Sequence, residues 1–264
     1  KLEPGEHHPL EGVEGYQDLV DPENIPPAMM SEARELSEVF GMYVIQCFYS
    51  KTWQLREAAL SKIILEFPRV LNDGGMPRSQ LFLLTCRMLQ TCASEKVANV
   101  FSKSINFLKL VLTGVASDIH RSEVTAGLER YTLTLVEKLG NTNARVRQDA
   151  SNALMAMARS NSVGPAYVAI ILLKKPKKEV PTAFRPILGR MQVLQNIIEQ
   201  FGFFNDLSMD AIMGHLKACN AFAHGKDQVR DMARQITVEC YRNFGDGVRC
   251  VCFLFLFLFF FIIW

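Results

Sequence analysis

The sequence holds no HExxH, no P-loop, no GxGxxG and no GxSxG, so zinc-protease, nucleotide-binding and serine-hydrolase chemistries lack their framework residues. Histidine is scarce, five in 264 residues: His7 and His8 lie near the start, and His120, His215 and His224 fall on three separate segments. No Cys/His spacing brings ligands together, so neither a metal nor a cofactor is expected. His215, on a helical pattern, reads as a surface or satisfied core residue. The seven cysteines include no CxxC pair, and five of them (Cys47, Cys86, Cys92, Cys219, Cys240) sit in apolar patterns where a free thiol is a small hydrophobe. With no permitted N-x-S/T sequon, this favours a reducing cytosol. Nothing in the chain supports catalysis, so the chain is not expected to be an enzyme and its function is sought in a surface.

The net charge of +2 joins two unlike parts. Residues 1–32 hold one lysine against eight carboxylates (among them Glu11, Asp18, Asp21 and Glu23), a local charge of −7 that leaves +9 on the rest. Five prolines and few large apolar groups make residues 1–30 read as an acidic, disordered linker. The first residue is lysine, which suggests a fragment or processed product, and no secretory signal follows it. At the other end, residues 248–264 form an apolar tail, and from Cys250 to Trp264 it has no polar residue. That run is shorter than the roughly 20 residues a spanning helix needs. Its Phe/Leu/Ile/Val/Cys/Trp vocabulary is what a uridine-rich intron encodes when translated past a splice donor near Gly247. A read-through product and a short tail anchor are the two readings, and length and flanks favour the first. A membrane partner is not expected, nor is nucleic acid.

Between these ends, residues 31–247 have helical periodicity nearly throughout. Leu36, Val39/Phe40, Tyr43/Val44 and Cys47/Phe48 recur every three to four residues, as do Leu128, Tyr131, Leu135 and Leu139. No stretch alternates with period two for long enough to form a strand, so the class is all-α. The pattern apolar-Arg-x-x-Ala appears at Leu55–Ala59, Val146–Ala150 and Val229–Ala233, with degenerate copies starting at Val97 and Phe184. The five starts are spaced by 42, 49, 38 and 45 residues, the period of HEAT-type helical hairpins.

The predicted helix pairs are 32–49 with 53–67, 77–92 with 96–114, 122–139 with 144–160, 165–173 with 184–201, and 208–223 with 227–243. Five such hairpins stack into an α-solenoid, because none buries its apolar face alone. A capping repeat with a polar outer face is absent after Phe244. Asn143 stands at an N-cap position, its side-chain oxygen able to accept from the amide of Arg145 or Val146.

Turns inside the hairpins are expected to form a ridge. In order they contain Lys51-Thr52-Trp53, Ser94-Glu95-Lys96, Asn141 through Arg145, Lys174-Lys175-Pro176-Lys177-Lys178, and His224-Gly225-Lys226. Each carries a basic residue, and the first adds the only tryptophan outside the tail. A file of cations with an aromatic at one end fits a long acidic partner. The plainer alternative is that the lysines are simply solvated and Trp53 is half-buried packing.

Trp53 in the first turn followed by Gln54-Leu55-Arg56-Glu57-Ala58-Ala59-Leu60 resembles the opening repeat of a TOG domain, the HEAT-type array that binds αβ-tubulin. More narrowly, Tyr49 through Glu57, Gly140 through Arg147, and Val229-Arg230-Asp231 resemble the TOG domain found in a ciliary-tip centrosomal protein. The resemblance implies a tubulin- and microtubule-binding module of the cytoplasm and cytoskeleton, located at the cilium tip or centriole. It implies that Trp53 packs on one tubulin surface while the basic and polar turn residues Lys96, Asn143, Arg145, Lys174, Lys175 and Lys226 engage acidic tubulin patches. It also implies further ciliary or centriolar partners bound through regions outside this chain. TOG domains have six repeats, and this sequence shows five, so a sixth is expected to be missing. The alternative function is a HEAT adaptor that binds another protein without tubulin.

Overall fold

The computed structural model describes residues 7–174 and 183–245. Among these residues are eleven α-helices and no strand, apart from an isolated bridge between Phe204 and Leu207. The helices fall into five hairpins of the expected HEAT type, and the chain clusters into two units, residues 1–135 with 160–163 and residues 136–159 with 164–264.

In the first unit, α1 (Met30–Phe40) and α2 (Met42–Phe48) pair with α3 (Trp53–Asp73), α4 (Arg78–Ala93) pairs with α5 (Ala98–Gly114), and α6 (Arg121–Lys138) begins. The single helix predicted over 32–49 is broken at Gly41, whose φ of 81° lies in the region that glycine alone tolerates well. Conversely, α3 runs past its expected end at Pro68 to Asp73. Pro68 lies on the exposed side of the helix, so its ring does not disturb the buried face. Packing holds the turns beyond it: Phe67 is fully buried with its ring 5.4 Å from that of Phe107, and Arg78 Nη2 donates to the Leu71 carbonyl at 2.8 Å.

The disordered linker does not describe residues 7–29. Leu10 and Ile25 are buried, His8 stacks against Tyr16 and Tyr43, Lys62 Nζ donates to the Glu11 carbonyl at 2.7 Å, and two 3-10 turns form at Tyr16–Asp18 and Pro27–Met29. A few apolar anchors suffice because α1 to α3 offer a ready surface, whereas composition averages over all the residues. Residues 1–6 and the tail 248–264 lie outside the described residues. Among the described residues, no helix is long and apolar enough to cross a membrane.

In the second unit the end of α6 leads into α7 (Ala144–Arg159), followed by α8 (Pro165–Leu173), α9 (Phe184–Phe201), α10 (Met209–Ala218) and α11 (Asp227–Phe244). Helix α10 stops at Ala218, five residues before its expected end; Asn220 then takes φ of 48°, and a 3-10 turn at Ala221–Ala223 follows. The motif alanines Ala150 and Ala233 are fully buried here, as Ala59 is in the first unit, which lets neighbouring helices approach.

The register of the two degenerate copies differs from expectation. Phe184 and Val97 are only partly buried, whereas Gly189 and Val100 take the buried positions equivalent to Leu55, Val146 and Val229. The repeat starts are then Leu55, Val100, Val146, Gly189 and Val229, spaced by 45, 46, 43 and 40 residues. Glycine stands at the fourth because a Cβ there would lie 2.8 Å from Leu139 Cβ and 2.9 Å from its carbonyl oxygen. Close packing replaced the apolar signal that pattern matching sought.

Candidate functional site

Four of the five intra-repeat turns, all but the second, are held by an arginine in the second helix of their own hairpin. Arg56 Nη1 donates to the carbonyls of Ser50 and Lys51, both at 2.9 Å. Arg147 Nη1 does the same to Asn141 and Thr142 at 2.7 and 2.9 Å. Arg190 Nη1 reaches Leu172 and Lys174 at 3.3 and 2.9 Å, and Arg230 Nη1 reaches His224 at 2.6 Å. These carbonyls point away from their own helices, so a delocalised cation satisfies two at once. The arginine recurrence was visible in the sequence, but its role was not, because the carbonyls lie five or six residues upstream, or 16 and 18 for Arg190, and the turn must form first.

In the first unit the clamp extends beyond its own hairpin. Arg56 Nε and Nη2 hold both oxygens of Glu95, at 2.7 and 3.1 Å, and Glu95 also accepts from the amides of Lys96 and Val97 at 2.8 and 2.9 Å. This bidentate pair joins turns one and two at one end of α3 and α5. Burial raises the Glu95 pKa, but its bonds to Arg56 and the Val97 amide outweigh that and leave it below the usual value. Glu23 of the N-terminal segment latches turn one from outside, accepting from the Lys51 amide at 2.5 Å and Ser50 Oγ at 2.8 Å. Those bonds, the backbone one foremost, also lower its pKa. Neither carboxylate was singled out from sequence, since each pairs across 27 or 39 residues.

On this braced turn Trp53 opens α3 and is 37% exposed. It borders a groove of about 530 Å³ whose other walls include Gly12, Val13 and Leu19 of the N-terminal segment and Lys103 of α5. Lys51 and Lys96 are exposed nearby in their turns.

A family model described as "Centrosomal protein CEP104, TOG domain" matches residues 30–236. The chain belongs to this TOG domain family. The human centrosomal protein of 104 kDa is 25% identical over 233 residues, which are 85% of this chain and 24% of that protein, so the chain spans about a quarter of its relative. Among solved structures, the TOG domain of human Cep104 superposes with a TM-score of 0.71 at 21% identity, covering 87% of this chain and 89% of that one. A structure concerned with TOG–tubulin binding specificity in microtubule dynamics and mitotic spindle formation matches at 0.62 and 14%, covering 89% and 86%. At these identities the solved structures speak for the fold.

The second unit of the TOG domain treats its turns differently. Asn143 Oδ1 accepts from the Arg145 amide at 2.9 Å, the expected N-cap, and Asn141 Oδ1 accepts from the Asn143 amide at 2.8 Å. Lys226 precedes α11 with its Nζ 5.7 Å from the centroid of the Phe184 ring. Asn143, Arg145, Lys174 and Lys226 are all exposed, and Lys175 lies outside the described residues. The N-terminal ends of α7, α9 and α11 line one cleft, so turns three and five share an end within this unit.

The remaining candidate chemistry of the TOG domain is inert. Cys47, Cys86, Cys92, Cys219 and Cys240 are free and buried, and burial pushes the Cys47 and Cys86 thiols up to about 12, away from the reactive thiolate. His215 is buried beside the Leu173 carbonyl at 3.3 Å and Cys219 Sγ at 3.6 Å, with a pKa lowered by burial to about 4. It is a neutral core residue. Among the described residues no group of three or more His, Cys, Asp or Glu is placed to hold a metal ion.

Proposed function

We propose that this chain is a tubulin-binding module of a microtubule-associated protein acting at the cilium tip or centriole, and that it docks on αβ-tubulin through its intra-repeat turns. Membership of the TOG domain family supports the partner. The observation that carries the docking mode is Trp53, a large aromatic held out from a turn whose backbone is fixed by Arg56, Glu95 and Glu23. A preorganised aromatic loses little entropy on binding and makes a natural anchor. Lys96 in the first unit, and Arg145, Lys174 and Lys226 in the second, supply exposed cations for tubulin's acidic surface, with Asn143 and Lys175 as further contacts.

Co-elution and anisotropy with unpolymerised tubulin test this reading. Trp53→Ala is expected to lower affinity by about 2 kcal/mol or more, some thirtyfold. Lys226→Glu is expected to weaken binding most at low salt, where screening is least. Equal binding by wild type and both variants would refute docking through the turns, and no binding by the wild type would refute the partner.

A further inference from the structure

The seam between α7 and α9 carries an unusual lining. Gln148 and Asn152 on α7, and Gln192, Asn196 and Gln200 on α9, follow four-residue steps that place each set on one stripe of its helix. Both stripes face the same cleft, about 700 Å³ at the turn end and continuing as about 410 Å³ towards the far end of the helices. All five carboxamides are exposed. Only two bonds are made by them, Gln148 Nε2 to Asn152 Oδ1 and Arg159 Nε to Gln200 Oε1, both 3.1 Å, and Gln192 and Asn196 have no protein partner among the described residues.

A carboxamide donates and accepts at one tip, which is what a peptide unit presents in reverse. Two facing rows therefore match the backbone of an extended chain better than they match an apolar helix or a planar cofactor. Charge selects the occupant further. Arg147 and Arg185 line the turn end, Arg159 lines the far end, and Glu199, which accepts from Gln195, is the one carboxylate in the lining. No carboxylate pairs with these three arginines among the described residues. Arg147 uses Nη1 on its turn and keeps its other nitrogens.

We propose that this seam is a docking groove for an extended acidic peptide of a partner protein, its backbone read by the carboxamides and its carboxylates held by the arginines at the two ends. By helical rise, Arg147 and Arg159 stand about 18 Å apart along α7. An extended chain covers that in about five or six residues. The preferred peptide therefore carries acids at about that separation with small neutral residues between.

The test is anisotropy of the full chain with fluorescent peptides about ten residues long. One carries two acidic positions about five residues apart, one has the same charge clustered, and one replaces acid with lysine. The spaced acidic peptide is expected to bind about fivefold tighter than the clustered one and the basic one not at all. Arg159→Glu is expected to weaken it about tenfold, and Asn196→Leu and the milder Asn196→Ala about threefold to fivefold, with circular dichroism unchanged because the sites are exposed. Trp53→Ala is expected to leave peptide binding intact while reducing tubulin binding, which separates this site from the turns. Equal binding of all three peptides, no effect of either Asn196 variant, or tighter binding of a single-stranded RNA of equal charge would each overturn the proposal.

Discussion

Turn one and turn three do the same job with different chemistry. In both, one guanidinium nitrogen bridges two turn carbonyls, through Arg56 in the first unit and Arg147 in the second. Around turn one Ser50 Oγ accepts locally from the Thr52 amide, but the charged groups come from afar, Glu95 from the next hairpin and Glu23 from the N-terminal segment. Around turn three they are neutral and local, Asn141 and Asn143 folding their side chains onto amides two residues ahead. A turn can thus be fixed either by its own residues or by the fold around it. The first kind should survive local perturbation elsewhere, and the second should not.

The largest expected contrast comes from deleting the arginines. Arg56→Ala strips Glu95 of its partner in a mostly buried pair and should cost about 3 kcal/mol in urea unfolding, against about 1 to 2 kcal/mol for Arg147→Ala, which loses only bonds to carbonyls. Equal losses would mean that the long-range pair adds nothing to turn one.

Acid should divide the two units next. Below pH 6.5 the unfolded chain's His215 takes up a proton that the folded chain refuses until about pH 4, so the second unit loses stability across that window, up to about 3 kcal/mol. The lowered carboxylates of the first unit act later. Glu95 and Glu23 stabilise above their ordinary value of 4.5, and that contribution is lost as pH falls through their lower folded values. Hydrogen exchange at stepped pH should therefore show the α8–α10 region loosening first. His215→Gln should flatten that early phase, and an unchanged profile would assign it to another group.

Smaller effects sharpen the local side of the comparison. Asn143→Ala should cost about 1 kcal/mol by removing the α7 cap, while Asn143→Asp should hold stability through the same bond and a favourable helix dipole. Thermal melts separate the two. Least visible in global stability is Glu23→Gln, since the carboxylate is exposed, yet it should speed exchange at the Lys51 amide and leave the Asn143 and Arg145 amides untouched. Acceleration at both turns would show that they are coupled.

The sequence by itself determined the class, the five hairpins, most helix bounds to within a few residues, and the positions of the turns. These follow from apolar periodicity and from capping residues such as Asn143, properties of neighbours along the chain. Three things were decided only by tertiary structure. Residues 7–29 pack because Leu10 and Ile25 are buried, Glu11 bonds Lys62 of α3, and Glu23 bonds the turn between α2 and α3. The true start of the fourth repeat is Gly189, because Leu139 leaves no room for a side chain. The arginines of the repeat motif hold turns, and Arg56 joins two of them, because carbonyls and carboxylates far away in sequence converge on one guanidinium. Periodicity says which face of a helix is buried, but partners separated by 27 or 39 residues meet only once the hairpins have stacked.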